Sequence, residues 1–227
     1  MSLSAGEKLP EEVRQKFLKQ TGLTIREGLG MTEHSVYLVQ RKDRKIIPHA
    51  CGQAVPGSRI AIVKESRRGD KAPFLVPPGQ IGILASHRSC RGLMLGYYNR
   101  PEEEKKVFRG DWLLSGDLAY KDKQGNFFYV GRRDDMISAG GFRISPLEIE
   151  KVLNQCECVL ESAVIGREIS PGKTIVQAYV VPQGKPQKEK ILDHVRESLA
   201  VYKRPREIIF LKELPKTRNG KIKRKDL

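Results

Sequence analysis

The stretch GRRDDMISAGGFRISPLEIE, residues 131–150, separates two kinds of sequence. Its first part, RRDD after Gly131, is polar and carries no apolar period on which a strand or helix could be built, so it reads as an interdomain joint. Its last part opens a helix. Ser145 stands as N-cap, Pro146 at the first helical position and Glu148 three residues past the cap, which is the pattern of a capping box, and the helix is predicted to run to about Gln155. Upstream, from Gly57 to Gly131, the runs SRIAIV, QIGILAS, WLLSGDLAY and NFFYVG are short and separated by PPG, GYYNRPE and DKQG, which predicts a small antiparallel sheet or barrel. Downstream, SAVIG, TIVQAYVV and EIIFL read as strands, and Ile191, Leu192, Val195 and Leu199 as the apolar stripe of a helix. Near the start, Leu9, Val13 and Phe17 at four-residue spacing predict an amphipathic helix, followed by a strand from Ile25 to Leu29 that runs into GMTEH. The predicted class is α+β: a distorted antiparallel β-barrel subdomain followed by a small α+β C-terminal domain, with boundaries at 1–47, 48–132 and 133–227.

Composition narrows the function. At 227 residues, 39% hydrophobic and 30% charged, the chain is long enough for a real core and is not a disordered sequence. No run approaches the ~20 apolar residues of a membrane span, and MSLSAGEKLPEEV lacks the apolar centre of a signal peptide, so a cytoplasmic location is expected. Four cysteines without a C-x-x-C pair and four scattered histidines predict no metal cage. The net charge of +15 suits nucleic acid, an anionic membrane or a phosphorylated small molecule, and the segment from Lys185 to Leu227 holds 14 basic against 6 acidic residues. One Trp and no aromatic stacking platform argue against specific nucleic-acid binding. There is no G-x-S-x-G elbow and no H-E-x-x-H. Gly220-Lys221 fails as a Walker A loop, since Pro215 stands where the first glycine belongs and Ile222 where Ser or Thr belongs.

Six short strings remain: SAGE (Ser4 to Glu7), GMTE (Gly30 to Glu33), SGD (Ser115 to Asp117), GRRDDMI (Gly131 to Ile137), GGFRISPLEIE (Gly140 to Glu150) and LPKTRNGKIKRKDL (Leu214 to Leu227). In this order they resemble the C-terminal half of the adenylate-forming acyl-CoA synthetases, the superfamily that also contains firefly luciferase and nonribosomal-peptide adenylation domains. The resemblance covers essentially the whole chain. It implies that 1–47 is a remnant of a large adenylation domain, 48–132 the β-barrel and 133–227 a mobile lid. It also implies a ligase of fatty acid metabolism or of aromatic acids: a medium-chain or aromatic carboxylate attacks the α-phosphate of ATP with Mg²⁺ present, and the thiol of coenzyme A then displaces AMP.

Taken singly, MTE and SGD read as turns, Gly140-Gly141 as a tight turn and the tail cations as solvated charge. The resemblance assigns them roles. Thr32 donates to phosphate oxygens, and Glu33 offers the hard oxygen that Mg²⁺ prefers. Gly6 and Glu7 pass the adenine, with Glu27, Gly28 and Leu29 in the same nucleotide pocket. Asp117 accepts the ribose hydroxyls, and Arg132 contacts ribose and phosphate. Asp134 is the hinge. Lys221 serves the adenylation pose, whereas Gly140, Gly141, Phe142 and Arg143 serve coenzyme A in the thioester-forming pose. The tail cations Lys203, Arg204, Arg206, Lys223, Arg224 and Lys225 are candidates to surround the 3′-phospho-ADP part of coenzyme A.

Two departures stand out. Leu29 occupies a position where the family usually carries an aromatic, and no Ser/Thr/Gly-rich phosphate loop ending in Lys-Gly is present. The sequence therefore looks like a fragment, not expected to complete the reaction alone. The alternatives are a noncatalytic nucleotide- or anion-binding module with a basic tail, and an adenylation domain that loads a carrier-protein thiol.

Overall fold

The computed structural model describes residues 2–6, 9, 11–64, 72–218 and 220–227, so Glu7 of the predicted nucleotide pocket lies outside the described residues. The chain divides into two compact units, Met1–Arg133 and Asp134–Leu227. It is a mixed α+β protein with a curled antiparallel half-barrel sheet, the class expected from sequence.

In the first unit, β1 (Ser2–Ala5) crosses through α1 (Glu11–Thr21) to pair in parallel with β2 (Ile25–Met31), which then pairs antiparallel with β3 (Ser35–Val39) and through it with β4 (Gln53–Ala54). The predicted helix thus begins at Glu11, leaving Leu9 ahead of it, and Val13 remains half exposed at 50%. A second sheet holds β5 (Ile60–Val63), β6 (Gly82–His87), and, flanking α2 (Pro101–Val107), β7 (Phe108–Arg109), β8 (Trp112–Lys121) and β9 (Phe127–Arg132). All four predicted runs appear here as strands. Strand β8 is ten residues long and changes partner midway, pairing β7 through Trp112 and Leu113 and β9 through residues 117–121. One core lies under both sheets, since Tyr37 and Leu38 of β3 pack in the same buried cluster as Ile60, Leu84, Ala119 and Phe127. Burial of such side chains is the dominant stabilising term, roughly 1.5–3 kcal/mol for each large one.

The second unit opens with a hairpin, β10 (Ile137–Ala139) and β11 (Phe142–Ile144), then α3 (Pro146–Leu153), the long hairpin β12 (Val159–Ser170) and β13 (Lys173–Pro182), α4 (Lys188–Ser198) and β14 (Glu207–Phe210). Strand β14 returns parallel to β13 because α4 carries the chain across the sheet, as a parallel pair requires. Side chains alternate. Val164, Val176, Ala178 and Val180 face the buried cluster containing Ile149 and Leu153 of α3 and Ile191 and Val195 of α4, whereas Ala163 and Val181 face a separate cluster with Leu214, Ile222 and Leu227 of the C-terminal segment. The capping box is not formed as expected. Ser145 has the extended backbone of an N-cap but makes no side-chain cap hydrogen bond, and Glu148 instead pairs with Lys203 at 2.5 Å.

Candidate active-site elements

Gly6 follows β1, and the parallel register sets Ser4 beside Glu27 and Ala5 beside Gly28, so Ser4 and Ala5 of the SAGE string are brought beside the β2 residues. Glu27 is engaged in the fold: its carboxylate accepts the Leu9 N–H (3.0 Å) and its own N–H donates to Gln40 Oε1 (2.9 Å). Leu29 sits opposite Leu38 and packs on the buried core. Just beyond, β2 and β3 approach closely at an irregularity after Leu29. A Cβ on Gly30 would lie 2.2 Å from the Ser35 carbonyl oxygen, so only glycine fits. That close approach sets the turn of residues 32–34, with Thr32 exposed and Glu33 half-buried.

Two partners hold Glu33. Its backbone carbonyl accepts the Met94 N–H at 2.7 Å, and its Oε1 accepts the Tyr97 hydroxyl at 2.8 Å. Burial, then the hydrogen bond to Glu33, pushes the Tyr97 phenol up to about 12, so it is a donor at neutral pH. The neighbouring His34 is fully buried, its ring stacked on Tyr37 at 5.0 Å and its Nδ1 2.8 Å from Ser86 Oγ, and burial lowers its pKa. It is a support for the turn.

Asp117 and Arg132 are partners in the β8–β9 register, and Arg132 Nη1 donates to Asp117 Oδ1 at 3.0 Å while also reaching the Ser115 carbonyl at 3.0 Å. Asp117 is 7% exposed. Its N–H donates to Ser115 Oγ (3.0 Å), which in turn donates to the Leu84 carbonyl (2.9 Å). Burial raises its pKa, opposed by Arg132 and by hydrogen bonds from Ser115 and Tyr129. The Tyr37 hydroxyl is buried nearby, and burial followed by the Asp117 charge pushes it up.

In the second unit Asp134 is exposed at the first residue past the boundary. Gly140 and Gly141 form the two-residue loop of the β10–β11 hairpin, with Ala139 opposite Phe142 and φ of 58° and 81°. A Cβ on either would meet nothing within 4 Å. Phe142 stacks on Tyr202 at 4.1 Å, and Lys203 Nζ lies 5.6 Å from the Tyr202 ring. Arg143 and Lys221 are exposed. Lys221 stands in a tight turn whose backbone is closed by Thr217 N–H to Lys221 O (2.8 Å) and Lys221 N–H to Thr217 Oγ1 (3.1 Å). Several tail cations are committed within the fold: Arg204 donates to the Leu199 and Arg196 carbonyls at the end of α4, Arg224 pairs with Glu150, and Lys203 with Glu148.

Comparison with known proteins agrees with this order of elements. The profile of the AMP-binding enzyme matches residues 1–98, and that of the AMP-binding enzyme C-terminal domain matches residues 148–221. The chain belongs to the AMP-binding enzyme family. The chain is 37% identical over 231 residues to an uncharacterized acyl-CoA ligase, YtcI, of Bacillus subtilis (strain 168), covering 100% of the chain and 42% of that protein. It superposes on the crystal structure of the anthranilate CoA ligase AuaEII in complex with anthranoyl-AMP with a TM-score of 0.84 and 34% identity, over 99% of this chain and 43% of that one. The Bacillus subtilis O-succinylbenzoate coenzyme A synthetase MenE, in complex with ATP and magnesium ion, gives 0.83 and 28%, over 99% and 45%. The chain thus spans about two-fifths of the length of the relatives it matches. Tyr97 lies inside GYYNRPE, which reads from sequence only as a separator between strands, and Ser115 and Glu150 stand at the ends of the SGD and GGFRISPLEIE strings with no role assigned.

Proposed function

We propose that this chain is the C-terminal portion of an AMP-forming acid–thiol ligase that joins a small carboxylic acid, medium-chain or aromatic, to coenzyme A with ATP. The observation that carries the reading is Asp117, a buried carboxylate whose backbone N–H is held by Ser115 and whose Oδ1 is aligned by Arg132. An acceptor of this kind binds the two hydroxyls of a ribose by charge-assisted hydrogen bonds, about twice as strong as neutral ones.

The residues present also fit Mg²⁺. Tyr97 occupies Glu33 Oε1 and so orients the carboxylate, and among the described residues no three His, Cys, Asp or Glu converge as a closed metal cage. One protein carboxylate with substrate phosphates is the arrangement this ion favours, and when bound it neutralises phosphate charge. Thr32 then offers a hydroxyl to phosphate oxygen. Lys221 supplies a cation while negative charge is rearranged at the α-phosphate, stabilising that transition state more than the ground state. Asp134 is the hinge in this reading, supported by its place at the first residue of the second unit. The Gly140-Gly141 turn serves the thiol step, its open surroundings leaving room for a pantetheine arm.

The test is two half-reactions of the intact enzyme, pyrophosphate exchange and thioester formation from supplied acyl-adenylate. Lys221→Ala should lower the first by ~10²–10³ and leave the second within a few-fold. Equal loss in both would overturn the assignment.

A further inference from the structure

Three residues before Leu227, Arg224 makes a largely buried ion pair in the second unit. Its Nη2 donates to both carboxylate oxygens of Glu150, at 2.7 and 2.8 Å, and its Nη1 lies 3.9 Å from Asp135 Oδ2. The Glu150 side chain is 8% exposed and that of Arg224 21%. Glu150 Oε1 also accepts the Val164 N–H at 2.8 Å. Strand β12 is the edge of its sheet, and this carboxylate takes one of its outward amides.

Position gives the pair its meaning. Glu150 projects from α3, on the helical face of the β12–β13–β14 sheet, whereas Leu214 and Ile222 of the C-terminal segment pack on the opposite face. Arg224 therefore ties the segment around the β12 edge, three residues beyond Lys221. Among the described residues the Lys221 turn is also held by its bonds between Thr217 and Lys221, by the packing of Ile222, by the Lys216–Ile222 bridge and by Lys223 N–H to the Pro215 carbonyl (2.8 Å). Lys216 pairs with Glu161 of β12 at 2.6 Å, so the turn has an anchor on each flank.

We infer that Arg224 and Glu150 are positioning residues for Lys221: this largely buried ion pair fixes the C-terminal flank of the Lys221 turn, and so the place of its ammonium group, without touching substrate. The pair is suited to this because one guanidinium nitrogen, Nη2, is held by both oxygens of a buried carboxylate that is itself fixed by the Val164 N–H, and charge-assisted bonds are the stronger ones. A lysine in place of Arg224 keeps the charge but is a flexible point charge, without the planar guanidinium whose second nitrogen faces Asp135. The inference rests on the adenylation role of Lys221 proposed above, but its structural half can be measured separately.

The first experiment is amide hydrogen exchange on the 227-residue chain. Arg224→Gln should speed exchange at the amides of Thr217, Lys221 and Lys223 by about tenfold or more, with those of Ile165 to Val180 unchanged. Unchanged protection in the turn overturns the inference, as does loss of protection throughout residues 134–227, which would make the pair a general support. Arg224→Lys should shift the turn in the same direction by less. The second experiment uses the intact enzyme. Arg224→Gln should reduce pyrophosphate exchange by ~10²-fold, the scale of a misplacement of about 1 Å, while thioester formation from supplied acyl-adenylate stays within about twofold. Added to Lys221→Ala, it should cause no further loss, because residues acting as a unit are not additive. An additive loss, or equal loss in both half-reactions, overturns the positioning role. Undiminished exchange in Lys221→Ala alone would sink the parent reading instead, and the exchange data on the turn tell the two failures apart.

Discussion

At the scale of single residues, Asp117 makes a prediction with a sign. Burial raises its pKa, so the folded chain holds this proton at higher pH than the unfolded chain does. Its contribution to stability is full below the unfolded carboxylate value and is lost as pH rises through the folded one. Asp117→Asn cannot titrate. Its stability relative to wild type should therefore improve between about pH 4 and pH 7, read as urea midpoints at both ends; a difference constant with pH would show that the carboxyl titrates as in the unfolded chain. Gly30 gives a steric counterpart. With a Cβ only 2.2 Å from the Ser35 carbonyl oxygen, Gly30→Ala should cost about 1–3 kcal/mol by overpacking, measurable by urea unfolding. Thr32, Glu33 and Asp117 can be proposed from sequence because each lies in a short local string. Tyr97 cannot, since its bond to Glu33 spans 64 residues and leaves no local mark. Leu29 was legible as an oddity, and its packing on the core shows what that side chain does instead.

Among the elements, the β10–β11 hairpin rests on two consecutive positive φ angles, as a two-residue type I′ turn demands. Asparagine tolerates this conformation and a β-branched residue does not. Gly140→Asn should change stability by less than about 0.5 kcal/mol, whereas Gly140→Val should cost about 1–2 kcal/mol; similar values for both would mean that the turn is not of this type. The same geometry complicates any bulky substitution at Gly141, which strains the backbone as well as filling space. Strands β5, β6, β8, β9, β12, β13 and β14 could be read from the sequence because apolar runs between Gly and Pro punctuation survive in the fold. What escaped was pairing that depends on distant chain: the parallel β1–β2 contact, the switch of β8 from one partner to another, and the replacement of the capping box by a Glu148–Lys203 ion pair across 55 residues. No local period encodes these.

For the molecule as a whole, the net charge of +15 predicts weak, sequence-blind attraction to polyanions. A mixed oligonucleotide should bind with an affinity that falls steeply between 50 and 200 mM salt, and tight, sequence-selective binding that persists across that range would contradict the ligase reading. The committed tail cations temper this attraction, since a guanidinium locked on a buried carboxylate contributes little to a phosphate. That lock also bears on the order in which the second unit assembles. The β12–β13 hairpin closes over a turn at Pro171 and Gly172, between the paired residues Ser170 and Lys173, whereas the Arg224–Glu150 contact must close a loop of 74 residues. Short loops form first because less chain entropy is lost before contacts compensate. Truncation in the hairpin, such as Val176→Ala, should therefore slow folding, while Arg224→Gln should leave the folding rate nearly unchanged and hasten unfolding. The turn that carries Lys221 would then be the last part of its unit to acquire its native place, and the first to leave it.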